Sequence, residues 1–326
     1  MKQIRCTVHS SNHMTIQHIL LPIGTHLSGT PIAIRGYLLD SNKPGKHIYI
    51  QAGMHGGEVT YWIMQKLYAY LQRELRVGSV TLIPIANPVS WMSRMYFSTP
   101  GKFDWYMGKD WNRNFPGSPH GSLGERIADT LFRQARARDI VIDLHTSRRS
   151  FPFGIVSKSK NLTLANIMGL RYTYLEKNSG GSSFCMANQL EIHNVPAITL
   201  ECGSHDTYNP THIEECTASI LRLLKHFRCI HGYDVPPKKA TPQYYTKILT
   251  YRAPDGGYIR YTKTLGDTYQ KGEVLFVLAH GKDITQETSV MAKEDGLVTK
   301  LSPTHVVWPG DEAIQTIPLR NIRRIL

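Results

Sequence analysis

Cysteine is scarce in this sequence, and no two cysteines form a CxxC pair. The chain has an odd number of them, namely Cys6, Cys185, Cys202, Cys216 and Cys229. This usage argues against a disulfide framework and indicates reduced thiols. Cys202 follows a glutamate and could be a nucleophile. A small buried residue is the favoured interpretation because free cysteine is commonly buried.

Long apolar stretches are also absent. No run approaches the roughly 20 residues that a membrane-spanning helix needs, and the hydrophobic content is an ordinary 41%. The first six residues continue into histidine, serine, asparagine and threonine, where a secretory signal would have an apolar core. We therefore expect a cytoplasmic protein without a membrane partner.

The charge is strongly positive, but it lacks the pattern of a nucleic-acid binding protein. The formal net charge is +13, the excess is spread along the chain, and no basic motif is interleaved with aromatic residues for base stacking. Four arginines, at positions 126, 133, 136 and 138, lie on or just after a predicted helix. We favour a solvated face there over a docking patch for an acidic partner. A basic surface would still help to steer an anionic substrate.

The pattern of elements predicts two domains in the 326 residues. Strands and helices alternate from about residue 45 to about residue 232, which predicts an α/β domain with a mixed central sheet flanked by helices. The last of these helices is predicted near residues 211–230. Paired prolines at 236–237 would end it and stiffen the link. We place the boundary between residues 1–235 and residues 236–326.

The second segment has a different rhythm. Short apolar runs alternate with turn signals such as Asp-Gly-Gly at 255–257 and Pro-Gly-Asp at 309–311, which is typical of an all-β domain. We expect this domain to form a cap or rim around the active site, or a subunit contact. Homo-oligomer formation is therefore an open alternative.

A histidine and a glutamate stand three residues apart in the motif HGGE at residues 55–58. Residues 47–52 alternate like a half-buried strand, and the apolar residues from Val59 to Leu75 recur at helical spacing. His55 and Glu58 therefore lie on the turn from strand to helix, where ligands commonly enter the crevice at the carboxyl ends of strands. Imidazole nitrogen and carboxylate oxygen suit zinc. Alone, the motif is equally compatible with a surface turn.

Two further strand ends carry matching chemistry. The apolar residues 140–142 lead to His145, which would complete a His2Glu zinc site with room for water. Asp143 could orient an imidazole, although its partner is undetermined. The apolar residues 197–200 deliver Glu201. A glutamate that follows an apolar strand is unlikely to be buried without a partner. We therefore expect Glu201 to be the base that takes a proton from zinc-activated water.

A polar segment between the first and second ligands contains two arginines of interest. Arg94 follows Asn87-Pro88, and Arg113 lies in the motif DWNRNFPG at residues 110–117. A planar, permanently charged guanidinium can clamp a carboxylate or polarise a carbonyl in a dry cleft. Either task suits hydrolysis of an amide beside a carboxylate. A strand is predicted at residues 80–86, before these motifs.

In the order HGGE, NP, Arg94, DWNRNFPG, DLHTS and TLECG, the first ~230 residues resemble the succinylglutamate desuccinylase/aspartoacylase family of the zinc carboxypeptidase clan. The resemblance implies a carboxypeptidase-like fold, with one zinc per chain bound by His55, Glu58 and His145. It also implies that Glu201 is the general base, that Arg94 stabilises the oxyanion, and that Asn112 and Arg113 hold the substrate carboxylate.

The resemblance has further consequences and two departures. Many such proteins carry a biotinyl/lipoyl-like β-barrel where this chain has its second domain, but Lys293 lacks the context of a modified lysine. Trp111 replaces the leucine that is more common in the family and puts a larger apolar group beside the carboxylate clamp. The tyrosine that closes over substrate in the carboxypeptidases has no counterpart in the loop 178–183, which is equally compatible with a mobile lid and a plain turn.

The leading interpretation is a zinc-dependent amide hydrolase that removes an acyl group from an N-acyl amino acid or a similar small anionic substrate. One alternative is a metallocarboxypeptidase that acts on a short peptide, which an open groove would favour over a roofed cleft. Another is an inactive zinc-binding scaffold, although a scaffold needs neither Glu201 nor Arg94. Nucleic-acid binding is a distant alternative.

Overall fold

The computed structural model describes residues 14–93, 101–177, 182–232, 234–281 and 283–325, together with the backbone of residues 4–10. Its α-helices are α1 (Tyr61–Glu74), α2 (Leu123–Ala135), α3 (Leu162–Met168), α4 (Met186–Ile192) and α5 (Pro210–His226). Among the described residues, no helix has both the length and the apolar character to cross a bilayer.

Strands alternate with these helices in the first part of the chain and follow one another in the last part. The first group is β1 (Ile4–Ser10), β2 (Thr15–Thr25), β3 (Pro31–Asp40), β4 (His47–Gln51), β5 (Ser79–Ile83), β6 (Phe103–Asp104), β7 (Lys109–Asp110), β8 (Ile140–Ser147), β9 (Arg149–Ser150), β10 (Phe153–Val156), β11 (Tyr172–Leu175), β12 (Ala197–Ser204) and β13 (Gln243–Tyr245). The second group is β14 (Leu249–Arg252), β15 (Gly257–Tyr261), β16 (Thr268–Tyr269), β17 (Val274–Ala279), β18 (Glu287–Met291), β19 (Gly296–Leu301), β20 (Val306–Val307), β21 (Glu312–Pro318) and β22 (Arg323–Arg324).

The main sheet is mixed, as predicted. Its strand order is β1-β2-β3-β5-β4-β8-β12-β10-β11-β13-β22. The central strands β5, β4, β8 and β12 are parallel to their neighbours in that set. Antiparallel pairs flank them, β3 with β5 on one side and β10 with β12 on the other. The carboxyl ends of β4, β8 and β12 therefore meet at one edge of the sheet.

Side chains of the central strands alternate between two buried faces. One face, with Ile142 and Leu144 of β8, packs against α1, α3 and α5 through residues such as Leu67 and Ile220. The other face, with Val141, packs against α2 and α4. Because both faces are covered, the strands are apolar in long runs instead of alternating with polar residues.

Two elements end earlier than the sequence predicts. The strand predicted at 80–86 ends at Ile83, and Pro84 follows, whose nitrogen has no hydrogen to continue the ladder. The helix predicted to reach residue 230 ends at His226. Arg228 has a left-handed backbone with φ 59°, and the Cys229 N–H turns back to the Leu224 carbonyl at 2.9 Å.

Strands β14 to β21 form the C-terminal β region, which we define as residues 249–318. They build two small sheets, β14-β21-β19-β16 and β18-β17-β15-β20, around a separate apolar core that includes Phe276 and Ile314. The region is also joined to the main sheet. β13 and β22 flank it in the sequence and lie at the end of that sheet, and β19 pairs with β9.

Candidate active site

The predicted site residues lie at the edge where the central parallel strands end. β4 leads into the turn with His55 and Glu58, β8 carries His145, and β12 carries Glu201. His145 and Glu201 are register partners in the parallel pair of β8 and β12. Register partners on neighbouring strands point to the same face of a sheet. The fold therefore brings together residues that are far apart in the sequence.

The turn from β4 to α1 holds its histidine and glutamate inward. His55 and Glu58 are both buried, and the His55 N–H donates to Glu58 Oε2 at 3.2 Å. Gly57 has φ +89°, and a Cβ at this position would overlap the Asp206 side chain. Only glycine combines a positive φ with the absence of a Cβ, so no other residue fits here without strain. The second glycine of the HGGE motif thus lets the chain bend tightly under the loop after β12.

Three potential ligand atoms converge on one point. The Nδ1 atoms of His55 and His145 lie 3.0 and 2.9 Å from Glu58 Oε1. One nitrogen or oxygen of each residue lies within 4.8 Å of the others. Two imidazole nitrogens and one carboxylate oxygen form a donor set that zinc uses in catalytic sites, where a further position is left for water. The residues therefore fit a metal ion in both chemistry and spacing.

The outer nitrogens of both imidazoles are held by carboxylates. His145 Nε2 lies 3.0 Å from Asp143 Oδ2, and His55 Nε2 lies 2.9 Å from Asp110 Oδ1. A donor N–H at each Nε2 leaves each Nδ1 lone pair free to bind a metal. Carboxylates that accept from the outer imidazole nitrogen orient histidine ligands in this way and raise their basicity.

The charges of the cluster reinforce one another. Burial by itself would raise the pKa of Glu58, but the neighbouring His145 and His55 hold that pKa well below its ordinary value. Burial would likewise lower the pKa of His145, but Asp143 and Glu58 raise it well above the ordinary value.

Glu201 lies beside the cluster, as the register partner of His145 on the neighbouring strand. Its side chain is half-buried, and the Oε2 atom is buried with no hydrogen-bond partner among the described residues. A buried carboxylate oxygen without a partner is uncommon and calls for an explanation, of which a catalytic role is one. Its neighbour Cys202 is buried, and burial raises the pKa of that thiol well above its ordinary value. This supports the interpretation of Cys202 as a packing residue.

The DWNRNFPG motif lies over the metal-ligand cluster. Asn112 is buried, its Nδ2 lies 3.0 Å from His145 Nε2, and its Oδ1 accepts from the Met186 N–H. Arg113 is half-buried and donates to the Asn112 carbonyl at 3.0 Å. Trp111 is buried in the core cluster that contains Met186, so its indole contributes to packing. Arg94 lies outside the described residues, as do residues 178–181 of the loop for which the sequence leaves a lid and a plain turn open.

Sequence reasoning missed three residues that support the site. Asp110 contacts His55, and Lys102 forms an ion pair with Asp110 at 3.0 Å. Burial would raise the pKa of Asp110, but His55, Lys102 and Arg113 hold it well below its ordinary value. Gln51 donates to Asp143 at 2.8 Å. Only Asp110 left a signal, since it opens the motif that contains Asn112 and Arg113.

The fold and this cluster of two histidines and a glutamate define an α/β protein with a candidate metal site where its central parallel strands end. Comparison with known families makes the assignment more specific: residues 44–227 match the model of the succinylglutamate desuccinylase/aspartoacylase catalytic domain. The match spans more than half of the chain, and the protein belongs to this family. Family membership implies amide hydrolase activity.

Individual relatives agree with this assignment. The chain is 25% identical over 279 residues to N-alpha-acetyl-L-2,4-diaminobutyric acid deacetylase from Halomonas elongata, covering 80% of this chain and 79% of the relative. A crystal structure of a family protein from Shewanella amazonensis superimposes with a TM-score of 0.84 at 23% identity, covering 94% and 100% of the two chains. The product-bound ectoine utilization protein from Ruegeria pomeroyi gives a TM-score of 0.80 at 16% identity, covering 96% and 98%. These two structures show a shared fold.

Proposed function

We propose that this protein is a zinc-dependent amide hydrolase that removes an acyl group from an N-acyl amino acid. The observation that carries the proposal is the convergence of His55, Glu58 and His145 beside Glu201, whose strand neighbour is His145. An inactive scaffold would have no use for a carboxylate oxygen that is buried here without a hydrogen-bond partner among the described residues.

We assign His55, Glu58 and His145 as the ligands of one zinc ion per chain. When bound, zinc polarises a carbonyl and makes water more acidic. Asp143 and Asp110 keep the two imidazoles oriented through their Nε2 atoms. Glu201 accepts a proton from the attacking water and passes it to the leaving amine, which is general acid–base catalysis by one carboxyl group.

Asn112 and Arg113 are assigned to the substrate carboxylate. Since His145 Nε2 donates to Asp143, it cannot also accept from Asn112, and the Asn112 amide hydrogens are available to another acceptor. The Arg113 side chain is 34% exposed, so its guanidinium can reach a ligand at the rim. Arg94 keeps its proposed role at the oxyanion, which rests on the motif order alone.

A small N-acyl amino acid is favoured over a peptide. The curated relative from Halomonas elongata is a deacetylase of an N-acetylated diamino acid. In addition, β19 of the C-terminal β region pairs with β9, close after the strand of His145. An element so near the strand ends restricts the space for a long substrate. Hydrolysis of a peptide C-terminus is the competing outcome of the test below.

The test is a substrate panel with the zinc-loaded protein. It contains N-alpha-acetyl-L-2,4-diaminobutyrate, N-acetylaspartate, N-succinylglutamate and short peptides with free carboxyl termini. We expect amine release from at least one N-acyl amino acid, loss of activity after chelation and recovery with zinc. Activity on peptides alone would assign the chain to the carboxypeptidases. Full activity after complete removal of metal would overturn zinc dependence.

Other features of the protein stay proposals. We propose domains at residues 1–235 and 236–326, a biotinyl/lipoyl-like barrel for the second domain and a cytoplasmic location. Homo-oligomer formation remains an alternative for the second domain. No part of the proposed chemistry depends on these features.

A further inference from the structure

The half-buried Lys300 stands near the site, although it belongs to the C-terminal β region. It lies on β19, opposite Ser150 of β9 in the antiparallel pair. The register of β19 against β21 shifts between Val298 and Lys300. Such an irregularity changes the direction of a side chain, and bulges are over-represented beside active sites.

The ammonium group of Lys300 sits on a residue that adjoins Glu201. Lys300 Nζ lies 4.8 Å from the centre of the Phe153 ring, and Phe153 is buried. Phe153 is the register partner of Glu201 in the antiparallel pair of β10 and β12. Glu201 in turn is the partner of His145. His145, Glu201 and Phe153 thus form one row on the same face of the sheet, with the ammonium at its end.

Glu201 has one carboxylate oxygen that this contact with the ammonium could influence. Within the part of the chain that the structure describes, Glu201 Oε2 is buried and has no hydrogen-bond partner. Burial lowers the pKa of Lys300, and Glu201 is the strongest of the charges that oppose this effect. Glu312 also raises the pKa of Lys300, whereas the positive charges of Arg148 and Lys102 lower it further.

We propose that Lys300 is a positioning residue for Glu201, so that the C-terminal β region contributes directly to the active site. Its positive charge lies at the Phe153 end of the row, attracts the Glu201 carboxylate and limits the positions that the carboxylate can take beside His145. Attraction between charges is strong in a site that excludes water, and the cation–π contact with Phe153 fixes the place of the ammonium. The inference rests on the proposed function, in which Glu201 is the base.

The test compares Lys300→Met, Lys300→Gln and Lys300→Arg with Lys293→Met, which alters an exposed lysine of the same region. With an N-acyl amino acid that the wild type hydrolyses, Lys300→Met should lower kcat by about 10- to 100-fold, with KM changed less than about 3-fold, since small errors in the position of a catalytic group have effects of this size. Lys300→Arg keeps the positive charge and should retain most of the wild-type kcat. Lys300→Gln covers the case in which one substitution impairs folding, and thermal melting and zinc content are measured for every variant.

A double-mutant cycle separates this inference from the proposed function. In a Glu201→Gln background, Lys300→Met should have no further effect. If Lys300→Met lowers kcat in that background as much as it does in the wild type, Lys300 acts independently of Glu201 and the inference is overturned. If Lys300→Met raises KM and leaves kcat unchanged, Lys300 contributes to substrate binding and the inference is also overturned. Wild-type kcat in Lys300→Met together with an inactive Glu201→Gln overturns the inference alone. Wild-type turnover in Glu201→Gln overturns the general base as well.

Discussion

Asp143 Oδ2 lies 3.0 Å from His145 Nε2, and the two residues are neighbours on one face of the same strand. The strand alternation places both side chains on that face, and Gln51 holds the other oxygen of Asp143 at 2.8 Å. The aspartate can therefore fix the orientation of the histidine through contacts within the sheet itself. This relationship provides the first of four predictions.

Asp143→Asn should weaken zinc affinity by about 10- to 100-fold, because an amide is a poorer acceptor for the imidazole N–H than a carboxylate. Competition with a chromogenic chelator measures the affinity. Asp255→Asn, a change at an exposed turn, is the control and should bind zinc like the wild type. Equal affinity of the Asp143 variant and the wild type would remove Asp143 from the support of the site.

His55→Ala should abolish stoichiometric zinc binding, since the site would keep only two protein ligands and catalytic zinc sites use three. Elemental analysis of the purified protein checks the result, with His280→Ala, a half-buried position in the C-terminal β region, as the control. Zinc retained at full occupancy in His55→Ala would show that the ligand assignment is wrong.

Glu201→Gln should keep zinc and the fold while turnover falls by about 10²- to 10⁴-fold, the range typical of general acid–base catalysis. Glutamine preserves size but accepts no proton, which isolates the chemical role. Steady-state kinetics and elemental analysis are the two measurements. A variant that loses zinc would make Glu201 a ligand, whereas near wild-type turnover would refute its role as the base.

Arg113→Ala should reduce kcat/KM by about 10²-fold or more, because loss of a charge-assisted pair with a substrate carboxylate costs several kcal/mol, about 2–5 in a desolvated site. Substrates with an amidated carboxylate should be poor for the wild type and insensitive to the change. The comparison requires rates for one free and one amidated substrate with both proteins. Equal wild-type rates on the two substrates would contradict the clamp.

Much of the central fold could be predicted because its signals are local. The alternation at residues 47–52 and the helical spacing after Val59 correspond to β4 (His47–Gln51) and α1 (Tyr61–Glu74). Apolar runs before His145 and Glu201 mark two more strands. Since parallel strands end at the same edge, the sequence alone predicted that these residues and His55 would meet.

The ends of elements were less predictable. The sequence predicts a strand over residues 80–86, which includes Pro84, whereas the strand ends at Ile83. Nothing in the sequence indicates that Arg228 has a left-handed backbone, which follows the end of α5. Both boundaries depend on single backbone positions, which periodicity averages over a longer window. Neither error affected the predicted meeting of the site residues.

The sequence by itself determined the types of the candidate metal ligands, their spacing and the strand ends that carry them, because each depends on residues close together in the chain. Only the tertiary structure decided that Asp110 holds His55 and that Lys300 lies on Phe153. These contacts join segments far apart in sequence, and nothing in hydrophobic periodicity specifies which strands become neighbours. Register is set by pairing between strands, and pairing is a property of the folded chain.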